Sequence, residues 1–120
     1  MHETNGIEIN KSGSVIIVVF KSACISNVDE ITAIKEQLNE YIEKEKPEKM
    51  VFDFSCVKFF SSQVLGLLLD IRAKVQENTG NIFISAINPQ LHRVFKITNL
   101  DKIFTFFPDT ETALETIKSD

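Results

Sequence analysis

The chain has no tryptophan, one tyrosine, two histidines, two cysteines and only four glycines in 120 residues. Each scarcity removes a class of chemistry. Four scattered glycines leave no glycine-rich loop to cradle a phosphate. His2 stands in the N-terminal tail, where chains fray. His92 sits beside Arg93 on a helix that buries Leu91, Val94 and Phe95, so an exposed ring is expected. Neither histidine is at metal-ligand spacing from another His, Cys or acid, so no metal and no histidine base are expected. Cys24 and Cys56 show no CxxC spacing and lie in or next to apolar runs, which points to two buried thiols in a reducing cytosol. Apolar runs no longer than Val15–Phe20 fall far short of a membrane span, and the polar start Met1-His2-Glu3-Thr4-Asn5 does not resemble a signal peptide. A cytoplasmic location follows as the expectation. The net charge is −4, with 13 Lys and Arg against 17 Asp and Glu. No basic block is present, which removes the electrostatic footprint of a nucleic-acid binder.

What is present reads as an ordinary globular chain, 43% hydrophobic and 25% charged. Its length fits a single domain over residues 1–120. Ten phenylalanines imply packing rather than polar anchoring. Gly6 to Asn10 reads as a short edge strand and Lys11 to Ser14 as its turn. Val15 to Phe20 is continuously apolar, the pattern of a strand buried on both faces, and Met50 to Phe54 and Ile82 to Ile87 read as two further buried strands. Between the first two, Lys21 to Ser26 reads as a loop. Asn27 with Glu30 resembles a capping box, and Val28, Ile31, Ile34, Leu38, Tyr41 and Ile42 follow at helical spacing up to Pro47. A second helix buries Val64, Leu68, Ile71 and Val75, and Gly80 is suited to a left-handed cap after it. Asn88-Pro89 opens a third helix, with Leu91, Val94, Phe95 and Thr98 on one side. Phe104 to Phe107 is a last strand, and Asp109 caps a short final helix. The order predicts an α/β fold: a mixed, mainly parallel sheet of about five strands covered by about four helices.

The stretch from Phe59 to Leu69 holds the most information. A strand ends, Ser61 and Ser62 follow, and an apolar helix starts at once. Ser62 is expected at or beside the helix N-cap, where its oxygen can accept a backbone N–H. A phosphate is also tolerated there, because the positive end of the helix dipole lies behind it. A plain N-cap is the alternative. No base is identifiable for Ser62, so a nucleophilic role has little support. Asp53 is the one acid inside an apolar strand, and capping of nearby loop amides accounts for it more simply than proton transfer. Leu65 and Leu69 are one turn apart and lie off the Val64-Leu68-Ile71 stripe, so they either form an apolar edge for a partner or pack under a neighbouring helix. Gly66 beside them lets another backbone come close.

These residues carry a resemblance to the STAS domain of bacterial anti-sigma factor antagonists. The family's hydrophobic-Asp-hydrophobic-Ser strand end appears as Phe52-Asp53-Phe54-Ser55. Its two apolar residues, Asp-Ser-Ser/Thr-Gly-Leu-Gly and apolar helix correspond to Phe59-Phe60-Ser61-Ser62-Gln63-Val64-Leu65-Gly66-Leu67. Gly80-Asn81-Ile82, Asn88-Pro89 and Ile97-Thr98-Asn99-Leu100-Asp101-Lys102-Ile103-Phe104 complete the match in order. The chain departs from the family at Ser61, where an acid is usual, and at Gln63 and Val64. It departs again at Lys21 to Ser26, where the family has Gly-x-Leu-Asp. The resemblance implies that Ser62 is the serine phosphorylated by a partner kinase. It implies that an anti-sigma factor or GHKL-type protein kinase binds a surface including Ser61, Ser62, Gln63, Leu65, Gly66 and Leu69. Asp53 then shapes the loop, and no cofactor is needed, since any ATP belongs to the partner. The alternatives are an unphosphorylated STAS domain serving as an interaction or scaffold part of a larger regulatory or transport complex, and a small enzyme built on Ser62 and Asp53.

Overall fold

The computed structural model describes residues 6 to 118, so His2 and the polar start lie outside it. In chain order the elements are β1 (Ile7–Ser12), β2 (Val15–Phe20), β3 (Cys24–Ile25), α1 (Val28–Glu45), β4 (Lys49–Asp53), β5 (Phe59–Phe60), α2 (Ser62–Glu77), β6 (Asn81–Ser85), α3 (Pro89–Ile97), β7 (Thr105–Phe107) and α4 (Thr110–Lys118). A 3-10 turn over Leu100–Lys102 precedes β7. Five strands form one sheet in the order β1-β2-β4-β6-β7. β1 runs antiparallel to β2, and the other neighbours are parallel. The expected mixed, mainly parallel sheet with four helices is what the chain forms.

Alternation along each strand divides the core in two. Ile16, Val18, Phe20, Met50, Phe52, Ile82 and Ile84 join the buried residues of α1, α2 and α3. Val15 and Val51 point the other way and meet Ala113 and Ile117 of α4, with Phe83 and Phe107 packed alongside. Coverage of both faces is why β2 reads as an unbroken apolar run and why the centres of β4 and β6 are apolar. Asp53 and Ser85 continue the α4-side alternation at the ends of β4 and β6, and they are paired in register.

The helix starts follow the sequence signals. Asn27 Oδ1 accepts the Glu30 N–H at 3.0 Å, half of the expected capping box, while the Glu30 carboxylate accepts from Ser22 Oγ at 2.7 Å. Asn88 Oδ1 accepts the Leu91 N–H at 2.9 Å, with Pro89 opening α3. Asp109 Oδ1 accepts the Thr112 N–H at 2.7 Å.

Several expectations need correction. Lys11 and Ser12 belong to β1, because the hairpin closes with Ser12 opposite Val15 and turns only through Gly13 and Ser14. Lys21 to Ser26 is not all loop, since it contains β3. Cys24 and Cys56 are exposed: Ile25 takes the inward place in β3, and Cys56 lies in the turn after the buried Phe54. Val28 is 57% exposed, and Thr98 lies outside the buried side of α3, its hydroxyl donating back to Val94 O at 2.9 Å. His92 is half-buried rather than exposed, its ring 4.5 Å from that of Phe106 between centroids. The left-handed residue after α2 is Thr79, with φ 61°, and not Gly80. Gly80 is required for space instead. A Cβ there would lie 2.7 Å from Val75 Cγ1, 2.8 Å from Glu48 O and 2.9 Å from Pro47 O.

Two predictions follow from this packing. Gly80→Ala should destabilise the fold by about 1–3 kcal/mol, read by urea denaturation, because two of the three obstructing atoms are backbone oxygens that cannot step aside. The Asp109 carboxyl lies below its ordinary value because the Thr112 N–H and hydroxyl donate to it, a small desolvation effect opposing them. A lowered folded value means that the cap's contribution is complete above the unfolded pKa of about 3.9 and disappears as pH falls through the folded one. Protection of the first-turn amides of α4 against exchange should therefore fall below about pH 4, and Asp109→Asn should abolish that acid dependence.

Candidate functional site

The Ser61-Ser62 segment is held from three sides before α2 begins. At its start, Asp53 Oδ1 accepts the Ser55 N–H at 2.8 Å, an Asx-type turn that carries the chain off the end of β4. In the middle, Asn88 Nδ2 donates to Val57 O at 3.3 Å, so the residue that caps α3 also holds this loop. At its end, β5 pairs in parallel with β3, setting Cys24 opposite Phe59 and Ile25 opposite Phe60. Lys58 N–H and Phe59 N–H both donate to Ala23 O, at 2.8 and 3.1 Å, and Ser61 N–H donates to Ile25 O at 3.0 Å. Phe60 points inward from this ladder onto Phe54 and Phe95. Phe59 points outward and is 54% exposed.

Ser61 is the N-cap of α2. Its backbone is extended (φ −81°, ψ 164°), and its carbonyl accepts the Val64 N–H at 3.0 Å. Its hydroxyl is buried and makes no hydrogen bond. Ser62 therefore stands beside the cap, at the first helical position, with an exposed side chain. A cap bond from Ser62 to a helix amide is not formed, because Ser61 occupies the half-in position that such a bond requires. The first turn of α2 contains no acid, so no carboxylate offsets the positive end of the helix dipole.

Gln63 and Gly66 are exposed and line a groove of about 350 Å³ between α1 and α2, together with Val28, Ile31, Thr32 and Leu67. The Lys35–Asp70 ion pair, at 2.8 Å, crosses between the same two helices. A Cβ on Gly66 would meet nothing within 4 Å, so the space above it is open. Leu65 is only 7% exposed and belongs to the core, and Leu69 is half-buried against it. The structure thus brings Ser61, Ser62, Gln63 and Gly66 to one surface and places Leu65 beneath it.

Asp53 faces two elements at once. Its second oxygen, Oδ2, accepts from Thr110 Oγ1 at 2.7 Å, and Ser85 Oγ lies 2.6 Å from that hydroxyl. Sequence reasoning missed Thr110, Ser85, Asn88 and Ile25 as supports of the site. One signal was available: Ser85 interrupts the apolar run from Ile82 to Ile87, as Asp53 interrupts the run around it.

Among the described residues no group of three or more His, Cys, Asp or Glu side chains could hold a metal, and no helix is long and apolar enough to cross a membrane. The site offers an exposed hydroxyl on a rigid helix start, beside an exposed aromatic ring and an open groove. With the Ser62 hydroxyl outside the cap, Ser62→Ala should change stability by less than about 0.5 kcal/mol. Asn88→Ala, which loses both a cap and a loop tie, should cost about 1–2 kcal/mol. Matched chemical denaturation of the two variants checks the contrast, and a loss near 1 kcal/mol from Ser62→Ala would assign it a capping role.

Comparison with known proteins places the chain in a family. The sequence pattern of the STAS domain matches residues 7–113. The anti-sigma F factor antagonist of Paenibacillus polymyxa is 23% identical over 108 residues, which span 90% of this chain and 91% of that protein. An anti-sigma factor antagonist from Mycobacterium paratuberculosis superposes with a TM-score of 0.80 at 25% identity, over 93% of this chain and 92% of the other. The Bacillus cell fate determinant SpoIIAA in its phosphorylated form shares the fold, with a TM-score of 0.72 at 15% identity over 92% and 98% of the two chains. With the matched pattern running from β1 into α4, the chain belongs to the STAS domain family.

Proposed function

We propose that this chain is a cytoplasmic, anti-sigma factor antagonist-like signalling module that binds an anti-sigma factor or GHKL-type kinase and is switched by phosphorylation at Ser62. The observation that carries the reading is the exposed Ser62 hydroxyl at the first position of α2, on a helix start without an acid. A phosphate added there brings about −1.5 to −2 charges next to unpaired helix amides, so the domain tolerates it. The same charge in a contact that must shed water opposes association. Ser61, Gln63 and Gly66 lie around the hydroxyl on the first turns of α2, Leu69 is half-buried two turns further along, and Leu65 packs in the core beneath. The likeness to proteins named anti-sigma factor antagonists supports the same reading. Binding alone accounts for these features, and the module has no turnover of its own in this account.

The partner and the phosphosite are to be identified together, by capture from native lysate followed by mass spectrometry of both. Titration calorimetry with that partner should then give tenfold or greater weakening for Ser62→Asp, roughly 1.4 kcal/mol or more, with thermal stability retained. Ser62→Ala should bind like the unmodified protein and take no phosphate. Equal affinity of wild type and Ser62→Asp would refute the switch.

A further inference from the structure

We propose that Thr110, the first residue of α4, is a positioning residue for the loop that presents Ser62, and that it acts through Asp53. The proposal rests on the reading of Ser62 as the functional hydroxyl. It adds a control point on the opposite face of the sheet from α2.

The two oxygens of Asp53 serve different elements. Oδ1 accepts the Ser55 N–H at 2.8 Å, where the loop leaves β4, and Oδ2 accepts the Thr110 hydroxyl at 2.7 Å. A threonine hydroxyl has one hydrogen, and here it is directed to the carboxylate. The Ser85 hydroxyl, 2.6 Å from Thr110 Oγ1, must then be the donor in that pair. Ser85 is fully buried, so loss of the Thr110 oxygen would strand its hydroxyl away from water. Donor directions thus run Ser85 to Thr110 to Asp53, with the Ser55 amide meeting the same carboxylate from the loop side. Phe54 N–H donates to Ser85 O at 3.0 Å, so the end of β6 holds the same corner through its backbone.

The consequence is mechanical. While Thr110 holds one oxygen of Asp53, the other stays aimed at Ser55. Without Thr110 the side chain is free to turn toward solvent, and the loop loses the tie at its start. The ties from Asn88 and β3 remain, so the loop should loosen near Ser55 and shift the entry into α2 without unfolding.

The test needs no partner. Thr110→Val keeps the branched shape and removes the hydroxyl. It should speed amide exchange at Ser55 at least tenfold and move the amide NMR signals of Ser61 to Gln63. Thr110→Ser should restore wild-type behaviour at both places. Asp109→Ala weakens the start of α4 without removing the hydroxyl, so it should leave Ser55 unchanged. Asp53→Asn has a single acceptor oxygen and should loosen the loop as Thr110→Val does, with little further effect when the two are combined. Wild-type exchange at Ser55 in Thr110→Val would overturn the proposal. So would equal loosening by Asp109→Ala, or additive effects of Asp53→Asn and Thr110→Val. Because none of these readouts involves phosphorylation or a partner, the positioning role and the switch at Ser62 stand or fall separately.

Discussion

The parallel pairing of β4 with β2 on one side and β6 on the other is the constraint from which the rest of the architecture follows. Parallel neighbours cannot be joined by tight turns, so each return crosses the sheet through a helix. The crossovers are α1, α2 and α3, and they send the C-terminal ends of β2, β4 and β6 to one end of the molecule. The chain leaves those strands by the segments that hold β3, the Asp53–Ser62 loop and Asn88. In open α/β sheets this end is where binding groups collect, for that geometric reason. Ser62 has its setting because it lies in one of the crossovers flanking the central strand.

Rigidity beneath the site comes from aromatic packing as well as from hydrogen bonds. Phe20, Phe54, Phe60 and Phe95 form a chain of ring contacts with centroids 4.9, 5.9 and 6.1 Å apart. Each ring comes from a different element, so the chain ties the end of β2 to the loop, to β5 and to α3. Above this floor the two-residue ladder of β3 with β5 is too short to be stable alone. It persists because Ile25 and Phe60 are both buried in the core. An exposed serine on such a base is presented in a nearly fixed position, which lowers the ordering cost of any contact made to it.

The legible features were local ones. Asn27, Asn88 and Asp109 each cap the helix they precede, and the apolar centres of the long strands foretold a sheet covered on both faces. These signals act within a few residues and survive without knowledge of distant parts of the chain. The errors have a common origin. Cys24 and Cys56 lie beside apolar residues in the sequence and Val28 falls at helical spacing with Ile31, and yet all three face solvent, because burial depends on which neighbour arrives to cover a side chain. β3 carries no readable strand period, since it is two residues long and exists only as the partner of β5.

From the sequence alone came the order of the five sheet strands and the four helices, the mixed sheet, three of the helix caps, and the serine pair at the start of α2. Those follow from periodicity and short-range hydrogen bonding, which depend on residue type and spacing. The tertiary structure decided that Ser61 is the cap and Ser62 the exposed hydroxyl, that Leu65 is core, and that Gly80 is needed for space rather than for backbone freedom. It also decided that Asp53 answers to Thr110, 57 residues away. Contacts of that separation are set by how strands and helices pack, and no local pattern in the chain encodes them.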